Sequence, residues 1–187
     1  MKIKSLKFKS VNSTNDVALD LIKRKKFKPT LISAEQQIKG RGTMGKKWVS
    51  KKGNLYLTIY FEIDQKKINF KHYAILNAYL LKYIIKKNYS NKVQIKWPND
   101  LLIKKKKICG ILQEVVKNEK KNFLIIGIGI NTNFSPKTKQ FLSTSLKDIT
   151  KKKINNKKLL ENIKKEYENL IRRLKTYSFQ ELKKIYK

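Results

Sequence analysis

The run Phe123-Leu124-Ile125-Ile126-Gly127-Ile128-Gly129-Ile130 carries no charge, in a chain of 187 residues that holds 46 Lys and Arg. A strand apolar at every position has to be covered on both faces, so this run predicts a central strand rather than an edge. Glycines in mid-strand leave no side chain to pack, which implies another backbone or a ligand passing close by at Gly127 and Gly129. Asn131-Thr132-Asn133 ends the strand.

The other elements follow from pattern. Residues 2–10 alternate Ile3, Leu6 and Phe8 with lysines, predicting an edge strand. Ser13, Thr14, Asn15 and Asp16 precede a helical spacing of Val17, Leu19, Leu21 and Ile22, where they suit helix capping and equally a polar ligand at the helix start. A strand over 30–34 runs into Glu35-Gln36-Gln37, and a second strand covers 54–63. Residues 70–85 have helical spacing, with His72 expected on the helix surface. Val93–Trp97, Leu101–Ile103 and Ile108–Glu114 read as strands of a hairpin, and Lys104–Lys107 as its turn. Thr144-Ser145-Leu146 is expected to precede a turn with Asp148. From about Lys157 onward the spacing is helical, with a break near Tyr177-Ser178.

Between the second and third strands lies Lys39-Gly40-Arg41-Gly42-Thr43-Met44-Gly45-Lys46-Lys47-Trp48, with three glycines and four cations in ten residues. Free N–H groups beside cations make a seat for phosphate or carboxylate oxygens. Gly40, Gly42 and Gly45 match a dinucleotide fingerprint, and Gly40 to Lys46 nearly match a P-loop. Both motifs need a helix to open after the glycines, whereas the aromatic, β-branched run 55–61 predicts a strand. Lys47 also replaces the hydroxyl residue of a P-loop. Both motifs are therefore excluded, which leaves an anion-binding loop or a surface turn that is basic like most loops of this chain.

Composition removes other classes. The formal net charge is +33, but only Arg24, Arg41, Arg172 and Arg173 among the basic residues are arginines. Bidentate phosphate recognition favours Arg, so the lysine excess is read as a solvated coat and no specific nucleic-acid partner is expected. One cysteine, Cys109, excludes an internal disulfide and any multi-cysteine metal site. No apolar run reaches the length of a membrane span and no signal core opens the chain, so a cytoplasmic protein without a membrane partner is expected.

Four landmarks stand in one order: Ser13-Thr14-Asn15, Gln37 with the Gly-Arg-Gly loop, Lys96-Trp97-Pro98-Asn99-Asp100, and Gly127-Ile128-Gly129-Ile130-Asn131. Together with Lys-Ile-Cys-Gly-Ile-Leu-Gln-Glu at 107–114 they resemble the catalytic domain of the biotin protein ligases, over nearly the whole chain. The resemblance implies an α+β fold, a mixed, largely antiparallel sheet backed by helices and related to class II aminoacyl-tRNA synthetases. It implies ATP- and Mg2+-dependent conversion of biotin to biotinyl-5'-AMP with release of pyrophosphate. Biotin then passes to a lysine of a carrier protein, the biotin carboxyl carrier domain of acetyl-CoA carboxylase.

The same resemblance assigns residues. Lys107, Arg41 and Asp100 are the catalytic candidates. Ser13, Thr14, Asn15, Gln37, Gly40, Arg41, Gly42, Lys107, Gly110 and Leu112 would bind biotin. Arg41, Thr43, Lys46, Trp48, Lys96, Asn99 and Asn131 would bind ATP or the adenylate, and no metal ligand is assigned. Thr43 and Lys46 stand where the family pattern has arginines, which implies a less firmly held adenylate. A single catalytic domain over 1–187 is expected, without a winged helix or an SH3-like C-terminal domain. The alternatives are a lipoate or octanoate ligase of related fold and a biotin-binding protein without catalysis.

Overall fold

The computed structural model describes residues 2–136 and 141–187. Seven strands form one sheet: β1 (Lys4–Val11), β2 (Thr30–Gln37), β3 (Leu55–Ile63), β4 (Val93–Lys96), β5 (Asp100–Ile103), β6 (Lys106–Asn118) and β7 (Lys121–Ile130). Their order is β1-β2-β3-β7-β6-β5-β4. Only β1 and β2 run parallel, joined by helix α1 (Thr14–Lys23); every other neighbouring pair is antiparallel. The α+β expectation holds, with the apolar run 123–130 at the centre and residues 4–11 at an edge.

The two faces of the sheet carry different loads. Among the described residues five α-helices are formed: α1, α2 (Phe70–Asn88), α3 (Leu146–Thr150), α4 (Asn156–Arg173) and α5 (Phe179–Tyr186). On one face α2, α4 and α5 bury Leu76, Leu80, Leu81, Leu159, Ile163, Leu170 and Leu182 against Leu57, Ile59, Leu124, Ile126 and Ile128. On the other face α1 lays Ala18 and Ile22 over Ile32, Tyr60, Phe123 and Ile125. Odd-numbered and even-numbered residues of β7 therefore face different cores, as the two-residue period of a strand requires. The small helix α1 covers only part of its face. The remainder is left to the glycine loop.

Two local expectations need correction. Lys104–Lys107 is not one turn: only Lys104 and Lys105 form it, with φ of 50° and 62°, while Lys106 and Lys107 already belong to β6. His72 does not stand free on its helix, because its ring stacks on Phe179 of α5, centroids 3.9 Å apart and planes 6° from parallel. The turn expected at Asp148 is the first turn of α3, closed by a capping box in which Ser145 and Asp148 bond each other's backbone N–H.

One polar network lies inside the larger core. Asn77 Nδ2 donates to Gln113 Oε1 at 2.6 Å, and Asn77 Oδ1 accepts from Tyr167 Oη at 3.1 Å. Asn77 and Tyr167 are both fully buried, so removing the donor leaves an acceptor without water or partner. Tyr167→Phe is expected to lower the stability to urea unfolding by ~1–2 kcal/mol, with the site on the opposite face unaffected. An unchanged midpoint would show that the network contributes nothing.

Candidate active site

The α1 face of the sheet contains a trough. Antiparallel register sets Gly110 of β6 opposite Gly129 of β7, and Gly127 one step along β7. Side chains of other elements fill the space. A Cβ built on Gly127 would stand 2.3 Å from Asn15 Oδ1, and one on Gly129 would stand 2.3 Å from Trp48 Nε1. The close approach expected at these glycines is thus made by an amide of α1 and an indole of the glycine loop, not by a backbone.

Lys107 reaches this trough because β6 is irregular. Leu102 pairs with Lys107 but Leu101 pairs with Cys109, so Ile108 is an extra residue, a β-bulge. Simple alternation would put Lys107 on the face opposite Gly110. The bulge re-aims it, and its side chain lies close to Gly110, with Cε 3.3 Å from where a Cβ would be. Its backbone is clamped: Lys107 N donates to Leu142 O at 2.9 Å, and Lys107 O accepts from Thr144 N at 3.0 Å and Asn131 Nδ2 at 3.3 Å. Nζ lies 2.7 Å from Asp100 Oδ1, with the two side chains only 14% and 17% exposed. It also sits over the Trp48 and Phe141 rings, at 5.1 and 4.7 Å from their centroids. One sheltered cation is thereby fixed at the end of the trough.

A relay of hydrogen bonds lines the other end. Thr14 N and Oγ1 donate to Gln37 Oε1 at 2.8 and 3.0 Å, Gln37 Nε2 donates to Ser50 Oγ at 2.9 Å, and Ser50 Oγ donates to Trp48 O at 3.0 Å. Thr58 Oγ1 lies 2.8 Å from Thr14 Oγ1 and 2.6 Å from Asn15 Oδ1. Ser13 both caps α1, accepting from Asn15 N, and lines the cavity. Capping and ligand contact are therefore compatible roles for this cluster.

The glycine loop closes over this floor as a small hairpin. Gly42 N donates to Lys46 O, Lys46 N to Thr43 O and Trp48 N to Gly40 O. These three amides are already satisfied, so an anion seat here would rest on the loop's other N–H groups and its cations. Arg41 does not point at an empty anion seat. Its Nη1 and Nη2 donate to Glu114 Oε1 and Oε2 at 3.0 and 3.1 Å, and Nη2 lies 3.0 Å from Asp16 Oδ1.

Of the expected residues, Ser13, Thr14, Asn15, Gln37, Arg41, Gly42, Thr43, Lys46, Trp48, Asn99, Lys107, Gly110 and Leu112 line one cavity. Asp100 joins it through Lys107. Gly40 lies behind it, where a Cβ would collide with Trp48 O and Ser50 Oγ. Two expected residues lie off this wall. Lys96 closes β4 with an exposed side chain. Asn131 is fully buried and gives its amide to the Lys107 carbonyl, so in this state it supports the lysine's backbone. Asn99 lines the cavity, yet its Nδ2 also holds Ile111 O at 3.1 Å.

Sequence reasoning missed Glu114, Asp16, Thr58, Ser50 and Phe141. Glu114 was readable, since it continues the Gly110, Leu112 alternation along β6. Phe141 has no sequence signal, being delivered by a connection. Cys109 is fully buried, and burial first, with Asp100 adding, pushes its thiol far up. It remains protonated and is no nucleophile.

The free space is about 60 Å3, well below the roughly 300 Å3 at which small-molecule sites begin. The Trp48 indole occupies the trough, and its buried Nε1 has no hydrogen-bond partner. Such a donor is destabilising by ~1–3 kcal/mol, so the seat is one the indole can leave. A larger cavity of about 440 Å3 at the far end of β3 is walled by Phe61, Ile63, Tyr73, Ile171 and Leu174. Glu62, Asp64, Lys67 and Lys175 also line it, but none of the residues expected at the site does. We expect Gly129→Ala to displace the indole and red-shift Trp48 emission in a Trp97→Phe background. Unchanged emission would mean the indole does not rest on Gly129.

The family model for the Biotin/lipoate A/B protein ligase family matches residues 7–131, from within β1 to just past β7. The Bifunctional ligase/repressor BirA of Escherichia coli (strain K12) is 36% identical over 123 residues, 65% of this chain and 38% of that protein. BirA of Bacillus subtilis (strain 168) is 31% identical over 179 residues, 92% of this chain and 55% of its own length. The chain thus spans about half the length, or less, of these relatives. Among solved structures, the biotin protein ligase from Aquifex aeolicus in complex with biotin and ATP superposes with a TM-score of 0.77 at 29% identity, covering 95% of this chain and 74% of that one. With the matched model spanning well over half of the sequence, the chain belongs to the Biotin/lipoate A/B protein ligase family.

Proposed function

We propose that this chain is the catalytic domain of a biotin–protein ligase. The observation that carries the reading is Lys107, an ammonium sheltered against Asp100 and two aromatic rings at one end of a trough. The other end is a polar relay suited to a ring bearing N–H and C=O groups. Relatives named as BirA ligase/repressors and an Aquifex aeolicus ligase structure with biotin and ATP support the same assignment.

In the first step a biotin carboxylate oxygen attacks the α-phosphorus of ATP, and pyrophosphate leaves with the electrons of the broken P–O bond. Acid and triphosphate are both anions, so a fixed cation between them offsets their repulsion and the charge that grows in the transition state. Lys107 has the position and the clamped backbone for that task. Asp100 holds the ammonium in place until the ligand takes it over. In the second step the ε-amine of a carrier lysine attacks the acyl carbon. AMP leaves, one proton is released, and an amide forms. The carrier we propose is the biotin carboxyl carrier domain of acetyl-CoA carboxylase, met in the cytoplasm.

Among the described residues no helix is long and apolar enough to cross a membrane, and no three His, Cys, Asp or Glu side chains gather as a metal cage. Mg2+ is usually held by one or two carboxylates plus phosphates, so Asp100, the carboxylate beside Lys107, would be the residue to hold an ion arriving on the triphosphate. The ion would neutralise phosphate charge there. Against the lipoate or octanoate alternative stands the wall of Thr14, Asn15 and Gln37, which presents polar atoms to the trough where an acyl chain favours apolar ones.

The test is ATP–pyrophosphate exchange with biotin, lipoate, octanoate or no acid. Exchange with biotin alone is expected, and Lys107→Ala should lower it by about 10²–10³-fold at a temperature where the variant, weakened by the unpaired Asp100, is still folded. Exchange with lipoate or octanoate instead would overturn the assignment, and biotin binding without exchange would leave a binding protein. Thr43 and Lys46 line the cavity where paired arginine forks would grip phosphate better. Replacing both by Arg is expected to slow dissociation of biotinyl-5'-AMP, measured by filter retention; an unchanged rate would contradict this.

A further inference from the structure

Glu114 has no role in the reaction just proposed, yet it occupies the junction of three elements. It stands on β6 one alternation beyond Gly110 and Leu112, so its side chain emerges on the trough face. Both carboxylate oxygens hold the guanidinium of Arg41 in the glycine loop, at 3.0 and 3.1 Å. Oε2 also accepts from Asn15 Nδ2 of α1 at 2.6 Å. A carboxylate is acceptor-only, so it dictates which way the Asn15 amide faces. Nδ2 must turn to Glu114, which leaves Oδ1 above Gly127 and toward Thr58.

From Asn15 the polar contacts continue through Thr58, Thr14, Gln37 and Ser50 to Trp48 O. The chain begins on the loop at Arg41 and returns to the loop at Trp48. Each limb of the loop is thus tied to the sheet, the first by Glu114 and the second by Ser50. An Arg–carboxylate fork is among the stronger and more directional of such ties.

We propose that Glu114 is a positioning residue that acts through Arg41. It seats the loop over the trough before substrate enters, so that substrate binding does not have to supply the ordering. Asp16 bonds the same guanidinium only singly and is more exposed, and serves as an auxiliary partner. This rests on the ligase reading for its kinetic consequence but not for its structural one. The inference therefore predicts loop behaviour in the absence of any substrate.

The experiment uses the full chain carrying Glu114→Gln, Arg41→Ala or both. Glu114→Gln keeps the volume and an acceptor for Asn15 while removing the charged fork. Amide hydrogen exchange is followed by mass spectrometry on peptides covering 38–50 and, as control, 121–130. Each single variant should speed exchange in 38–50 by about tenfold, the factor equivalent to ~1.4 kcal/mol, and leave 121–130 unchanged. The double variant should be no faster than either single one, because one tie is being broken. In ATP–pyrophosphate exchange, Glu114→Gln should raise KM for biotin by a similar factor with kcat nearly constant. Additive effects, an unchanged loop, or a lower KM would each overturn the proposal, the last by showing that Glu114 competes with substrate for Arg41. If the wild-type chain shows no exchange activity, the ligase reading fails and hydrogen exchange still decides the role of Glu114.

Discussion

The ion pair between Lys107 and Asp100 is the constraint around which the site is arranged. Neither side chain is more than about one-sixth exposed, and a sheltered cation that loses its partner is costly. The fold supports the pair from every side. A bulge at Ile108 turns Lys107 to the correct face, register puts Asp100 opposite Gly110, and Asn131, Leu142 and Thr144 clamp the lysine's backbone. Trp48 and Phe141 then cover the ammonium. What remains is a single cation that a ligand can recruit without waiting for a chain rearrangement beneath it.

The layering of the protein follows from that arrangement. Three helices cover one face of the sheet and form the main core, while the other face receives only α1 and the loop. The open part of that second face is where side chains are missing, at Gly110, Gly127 and Gly129. Stability and chemistry are thus assigned to opposite sides of the same strands. The even positions of β7 such as Leu124 and Ile126 pack the core, and the odd positions Gly127 and Gly129 make room.

Much of this was legible in the sequence, for reasons that can be named. The apolar run 123–130 could only be central, and its glycines announced a close approach. Helical and alternating periodicities gave every long element, because packing against a sheet imposes them directly. The resemblance gathered the cavity residues with few exceptions. Three kinds of information were absent. The bulge at Ile108 depends on strand register, which no local pattern encodes. The engagement of Arg41 by Glu114 and Asp16 joins residues far apart in the chain, and composition alone made the loop look like a set of free donors. Lys96 and Asn131 stand off the cavity wall, since a motif tells which residues recur together, not which way each one points. Lys96 points to solvent, and Asn131 into the protein.

In the proposed reaction the acid and the nucleotide meet in the trough beside Lys107, after Trp48 has left it. A crystal structure with a non-hydrolysable biotinyl-5'-AMP analogue would show whether they do. The acyl phosphate mimic is expected within hydrogen-bond reach of Lys107 Nζ, the ureido ring against Thr14 and Gln37, and the indole displaced from Gly129. An analogue bound elsewhere, or bound with Trp48 still seated on Gly129 and Lys107 still closed on Asp100, would contradict it.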